Sequence, residues 1–259
     1  MWTAVNRALK NRAPWLQPGV KSALRACPLP LPKVVSGRWM LTHPALIGYD
    51  AESHVVLWTE EVLQRGDTFL DVGAHVGWVA LVASRRVGRD GSVVAFEPSP
   101  PLARLLRYQR RVNLAYNLTV EAAAVSNVSG TTALYLHNSG NSSVNSLIDA
   151  AVRYEGQGRS APEALEVQAW SIDDYCQMAR CQPRAVKIDV EGAELMVLRG
   201  AQEMMARYKP ALILAVHPPL IPERKAHELF SLLDRHGYKI HQSHTEMHDG
   251  SLWGDYLCL

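Results

Sequence analysis

Asp71, Gly73 and Gly77 in the run FLDVGAHVGW, followed by Glu97 in FEPSP, are of the types and at the spacing that can seat a nucleoside. A carboxylate ending a strand accepts both hydroxyls of a ribose, and glycines at a strand-to-helix turn let a ligand approach the backbone. A dinucleotide fingerprint needs glycines at relative positions one, three and six. Counted from Gly73, the later places hold His75 and Trp78, and an indole there argues against a nicotinamide cofactor. No Gly-Lys-Ser/Thr follows, which removes the phosphate loop. What remains is an acid at one strand end (Asp71), a glycine turn (Gly73, Ala74, His75, Gly77) and a second acid, Glu97, beside Pro98. That set suits an adenosine ligand without phosphates. S-adenosylmethionine is one: the glycines admit its amino-acid part, Asp71 attracts its ammonium directly or through water, and Glu97 fixes its ribose. The competing reading is a plain strand-to-helix turn.

A second constellation is KIDVEGAELMVLRGA, residues 187–201. In a strand Lys187 and Asp189 point to the same face, and a lysine in a covered central strand needs a charged partner. Glu191 and Glu194 fall in a first helical turn, where acids suit the dipole. A structural ion-pair cluster is one account of these four residues. Their place favours a site, because open α/β sheets bind ligands outside the carboxyl ends of their strands, where Asp189 falls. An alcohol acceptor needs activation, and Asp189 and His217, each ending a strand, are the candidate bases, with Glu191 beside them. His217 precedes Pro218 and Pro219 and has the alternative role of filling a strand exit. A divalent ion held by Asp189 and His217 is the other route. One carboxylate and one imidazole make a thin shell for Mg²⁺, so the metal-free route is preferred.

The elements that must position these groups alternate. TFLDV (68–72) is a strand, 76–86 an apolar helix and SVVAFE (92–97) the next strand, a parallel-sheet unit. Ser99 caps a helix opened by Pro100 and Pro101, with Leu102, Leu105 and Leu106 inward and Arg104, Arg107, Arg110 and Arg111 outward. Strands are expected near 119–124 and 132–136, and at 184–189, 211–216, 238–242 and 255–259, with helices at about 191–207 and 223–236. Residues 34–57 read as short strands or turns, and 53–64 as a helix. Residues 137–165, rich in Asn, Ser and Gly, read as a long loop that closes over substrate or is disordered.

The bulk properties set bounds. A chain of 259 residues, 47% hydrophobic, suits one α/β domain with an extension, divided here as 1–49 and 50–259. A net charge of +2 gives no argument for nucleic acid. The cysteines Cys27, Cys176, Cys181 and Cys258 form no CxxC pair and suit a reduced, cytoplasmic protein. No stretch reaches the ~20 apolar residues of a membrane span. Residues 1–49 hold seven basic and no acidic residues, with Trp2, Val5 and Leu9 at helical spacing. An anionic surface, an anionic substrate and a transit peptide are the sharper accounts. A short helix packed on the domain or on a second subunit is preferred, since the prolines from 14 to 32 interrupt any long helix. A homo-oligomer fits that reading.

DVGAHVG, FEPSP, WSIDDY (170–175) and VKIDVEGAELMVLRGA together resemble the FkbM family of S-adenosylmethionine-dependent methyltransferases, over residues 50–259. The resemblance implies a Rossmann-like class I fold, seven strands with a reversed last strand, and O-methylation of hydroxyls on sugars, polyketides and other specialised metabolites. It implies Asp71, Gly73 and Gly77 as the cofactor loop and Glu97 as the ribose acid. Asp189, Glu191 and Glu194 become the acidic cluster on the substrate side. His75 replaces the family's usual asparagine, and Val216-His217 stands where many members end the strand in glutamate. The rival functions are a non-catalytic cofactor-binding partner and a nicotinamide oxidoreductase.

Overall fold

A computed structural model describes residues 29–46, 51–136, 145–148, 163–216, 223–248 and 251–259. His217 and the helical pattern at Trp2, Val5 and Leu9 lie outside them. Two units are present, Met1–Asp50 and Ala51–Leu259. In the first, β1 (Leu31–Val35) and β2 (Arg38–Thr42) pair antiparallel. Ser36 (φ 45°) and Gly37 (φ 82°) supply the left-handed pair that a two-residue hairpin turn requires.

The second unit is built on a seven-stranded sheet. In chain order its elements begin with α1 (Ser53–Val62), β3 (Thr68–Val72), α2 (Trp78–Val87), β4 (Ser92–Phe96), α3 (Pro100–Val112) and β5 (Leu118–Glu121). The short strands β6 (Ala124–Val125), β7 (Gly130–Leu136) and β8 (Glu163–Trp170) follow, then α4 (Ile172–Ala179) and β9 (Ala185–Ile188). The chain continues through α5 (Glu194–Arg199), α6 (Gln202–Tyr208), β10 (Ala211–Val216), α7 (Glu223–Arg235), β11 (Ile240–His248) and β12 (Ser251–Cys258). The strand order is β11-β12-β10-β9-β3-β4-β5. β12 runs antiparallel to both neighbours, and the pairs from β10 to β5 are parallel. This is a Rossmann-like class I sheet with a reversed last strand. The central strands β9 and β10 are buried at every position, as expected of parallel strands covered on both faces. α2 is buried on most sides and exposes only Arg85 and Arg86.

Five departures from the sequence expectation are present. The strand expected at 119–124 is two strands in different sheets, β5 in the large one and β6 in a small sheet ordered β6-β8-β7. The loop expected to reach 165 ends earlier, because β8 begins at Glu163 and pairs with β7 along its length. α4 also went unforeseen, and Ser171 caps it by accepting the Asp174 N–H at 3.1 Å. The helix expected at 191–207 is two. Glu191 (φ 52°) and Gly192 (φ 98°) delay its start, and Gly200 packs so closely that a β-carbon would lie 2.3 Å from the Ser126 carbonyl oxygen. A new helix then begins because the Asp173 carboxylate accepts the N–H groups of Glu203 (3.1 Å) and Met204 (2.8 Å), which α6 leaves unpaired. β11 starts later and β12 earlier than expected, making one long antiparallel ribbon. Cys176 and Cys181, five apart in sequence, meet at 3.5 Å. Among the described residues no helix is long and apolar enough to cross a membrane.

Candidate functional site

β3 sits where the strand order reverses, with β4 and β5 to one side and β9 and β10 to the other. Connections on the two sides diverge there, and a crevice opens beyond the carboxyl ends of the strands. The turn after β3 is fastened to β4, since the N–H groups of Gly73 (3.1 Å) and Ala74 (3.0 Å) both donate to the Phe96 carbonyl. Gly73 (φ 76°) allows this course, and a β-carbon there would lie 1.8 Å from the Asp189 carbonyl oxygen. Gly77 (φ 85°) precedes α2 and leaves room only for Leu106, whose Cδ1 would be 1.9 Å from an added β-carbon. Both glycines are thus favoured by backbone course, and Gly73 is required by backbone contact as well.

Glu97 is the acid this turn presents. Its Oε2 accepts the His75 N–H at 2.8 Å and its Oε1 the Ser99 N–H at 2.9 Å. Ser99 stands at the helix N-cap as expected, yet its side chain makes no cap bond. Burial pushes the Glu97 carboxyl up to about 7 despite the two N–H donors. Each oxygen keeps further lone pairs for a donor in the cleft. His75 takes a left-handed conformation (φ 51°) to deliver its N–H. Burial drives its imidazole down to about 4, against the pull of Asp189, so the ring is neutral at physiological pH.

Lys187 ties the other acids together. It is level with Asp71 across the β3–β9 pair, and its Nζ lies 3.5 Å from Asp71 Oδ1, 3.1 Å from Asp189 Oδ2 and 3.1 Å from the Gly73 carbonyl oxygen. Burial pulls the ammonium down, but Asp189 and Asp71 outweigh it, and the net shift is upward. The charged partner that a central-strand lysine requires is therefore present twice. Asp71 is fully buried, whereas the Asp189 side chain is 35% exposed.

An open cleft lies beyond the carboxyl ends of β3, β4 and β9; Asp189 borders it, whereas Asp71, Ala74, Gly77 and Lys187 do not line it. Gly73, His75, Glu97, Pro98, Asp189 and Glu191 give its polar side; Phe96, Leu102, Val125 and Leu134 are apolar neighbours. Glu194 does not line it. That side chain is fully buried, with Oε1 accepting the Gly192 N–H at 3.0 Å, and it secures the turn before α5. Two contributors escaped sequence reasoning. Asn145 and Ser146 also line the cleft, and Ser146 exchanges backbone bonds with Tyr135 (2.8 and 3.1 Å) while its hydroxyl donates to the Glu191 carbonyl at 2.7 Å. The Asn/Ser composition of their neighbourhood was the only signal. A group formed by His54, His244 and Asp255 lies along the same edge of the sheet, with no signal in linear spacing.

The sequence matches the methyltransferase FkbM domain over residues 71–240. No curated protein matches the chain. Among solved structures, methyltransferase FkbM from Methylobacillus flagellatus aligns at 17% identity and TM-score 0.46, over 79% of this chain and 51% of that one. This chain thus spans about half the length of that protein. An S-adenosylmethionine-dependent O-methyltransferase from Thermotoga maritima aligns at 12% identity and TM-score 0.46, covering 79% and 63% of the two chains. A candidate transferase from Pyrococcus horikoshii aligns at 10% identity and TM-score 0.50, covering 90% and 71%, and shares the fold.

Proposed function

The chain belongs to the FkbM methyltransferase family, and from that premise we propose that it moves the methyl group of S-adenosylmethionine to a hydroxyl of a small molecule or glycan. The observation that carries this reading is Glu97: a carboxylate facing the switch-point cleft, with both oxygens fixed by backbone N–H groups and lone pairs left for ribose hydroxyls. The apolar surface of Phe96, Leu102 and Val125 suits a purine face, so the residues present fit the cofactor. When bound, S-adenosylmethionine supplies an electrophilic methyl group.

The protein's own residues have the following parts in this proposal. Glu97 orients the ribose. The turn from Gly73 to Gly77 admits the amino-acid part. Lys187 holds Asp71 and Asp189 in fixed positions, so that Asp189 and Glu191 border the acceptor side. His75 is too weak a base, at about 4, to take a proton from an alcohol at neutral pH. His217, directly after β10 in the chain, stays the candidate base on sequence grounds, and Asp189 is its alternative. Alignment of acceptor oxygen with the methyl group and exclusion of water do the rest.

A nicotinamide reaction is disfavoured by Trp78, a buried indole at the third-glycine place. Incubating the protein with methyl-tritiated S-adenosylmethionine and separate pools of sugars, polyketide alcohols and RNA tests the proposal. Label in an alkali-stable ether of a hydroxyl pool is the expected outcome. Label in RNA alone would replace the acceptor class, and cofactor binding without label in any pool would favour a non-catalytic partner.

A further inference from the structure

The carboxyl edge of the sheet carries a second group of chemistry-bearing side chains. Leu214 of β10 is level with Ile188 of β9, so Ala215 is level with Asp189. Ala215 in turn pairs with Asp255 of β12, and Asp255 with His244 of β11. Residues paired across neighbouring strands share a face. Asp189, Ala215, Asp255 and His244 therefore form one row on one face, and Asp255 lies two strand spacings, roughly 10 Å, from Asp189.

His54, in the first turn of α1, completes the group. Its Nε2 is 2.6 Å from Asp255 Oδ2, and its ring stacks on that of His244 with centroids 4.1 Å apart and planes at 11°. One ligand atom from each of His54, His244 and Asp255 lies within 4.8 Å of the others. Glu52 Oε2, 3.7 Å from His54 Nε2, is a fourth donor at the solvent side. The ring of His54 is also held from behind, because buried Trp58 packs edge-on against it at 5.2 Å and donates from its indole N–H to Gln242 at 2.5 Å. A ligand ring fixed by outer contacts is what a metal site needs.

The geometry points to a divalent transition-metal site made by His54, His244 and Asp255, with Glu52 or solvent in the remaining position. Two imidazoles and a carboxylate select ions of borderline softness, such as Zn²⁺, Ni²⁺ or Fe²⁺, over Mg²⁺ or Ca²⁺, which prefer an all-oxygen shell. Tetrahedral ligands at ~2.0–2.1 Å from zinc stand ~3.4 Å apart, so small side-chain rotations within this group reach that spacing. A coordination position left to solvent stays open to an oxygen or nitrogen of a further ligand, and the site does not rest on the proposed methyl transfer.

The test uses untagged full-length protein, stripped of metal and titrated calorimetrically with Zn²⁺ alone. One equivalent bound by the wild type is expected. His244→Ala, on the solvent side, and His54→Ala should each weaken binding by more than the 10- to 100-fold that loss of an outer partner causes. Circular dichroism checks that each variant is folded, and His244→Ala alone decides the matter if His54→Ala unfolds. Absence of a stoichiometric Zn²⁺ site in the wild type, or the same affinity in folded His244→Ala, would overturn the proposal. Because metal binding is read without cofactor or acceptor, a chain that binds Zn²⁺ but transfers no methyl group sinks the proposed function and leaves the site standing.

Discussion

Replacing Glu97 by glutamine should change how both stability and nucleoside binding depend on pH. Burial raises the carboxyl from 4.5 to about 7. Between those values the folded chain binds more protons than the unfolded one, so stability is highest below the unfolded pKa and falls as pH rises through the folded pKa. The shift corresponds to about 3 kcal/mol lost between pH 4.5 and 7. Glutamine removes that slope, but it offers one acceptor to the two N–H donors of His75 and Ser99, and one buried donor left unmet costs about 1–3 kcal/mol. The absolute stabilities of the two proteins at pH 8 should therefore be close, while their pH profiles differ. Binding follows the same logic. The ionised carboxylate is the better acceptor for ribose hydroxyls, and with a pKa of about 7 it is about one-tenth ionised at pH 6 and about nine-tenths at pH 8. Adenosine, which has no group titrating in that window, should bind the wild type about tenfold more tightly at pH 8 than at pH 6. Calorimetry with adenosine and urea unfolding across the pH series supply both readings. Parallel pH profiles in wild type and Glu97→Gln would refute the reasoning.

Other changes probe the supports of the site. Gly73→Ala should destabilise the chain more than Gly77→Ala, because the first clash is with the Asp189 backbone and the second with a movable Leu106 side chain. Each also carries left-handed strain of about 1–2 kcal/mol, and equal midpoints in urea would contradict the ranking. Lys187→Met leaves fully buried Asp71 uncompensated, for a cost of about 3–5 kcal/mol. Adding Asp71→Asn should recover part of that loss, and simple additivity in thermal melts would show that the pair is uncoupled. Asp173→Ala should fray α6 by removing the acceptor for two of its N–H groups, costing about 1 kcal/mol in urea midpoints with cofactor affinity unchanged.

The main sheet is legible in the sequence because buried parallel strands are short apolar runs. TFLDV, SVVAF and ALILAV announce themselves, and the acids and glycines that follow the first two are contiguous with them. Side-chain capping from a distant element is not legible. The break between α5 and α6 depends on Asp173, thirty residues before Glu203. β8 was hidden because EALEVQAW has polar residues on its open face and finds its partner in β7 across an intervening segment. The placing of Lys187 beside Asp189 followed from strand alternation plus the need to compensate a buried lysine, whereas its second partner, Asp71, depends on the β3–β9 register, which the sequence does not display. His54 and Asp255, 201 residues apart, meet only because β12 returns between β10 and β11. Glu194 opens α5 in its first turn, as expected, while the left-handed Glu191-Gly192 turn keeps Glu191 outside the helix; the buried Glu194 carboxylate takes the structural of its two expected roles by accepting the Gly192 N–H.

Calorimetric titration with S-adenosylhomocysteine, comparing wild type with Glu97→Ala, tests the central claim most directly. The account predicts one site per wild-type chain and an affinity reduced more than tenfold in the variant, since a hydrogen bond to a charged group is worth about 1.5–3 kcal/mol. A wild type that does not bind, or a folded Glu97→Ala that binds as tightly, would contradict it.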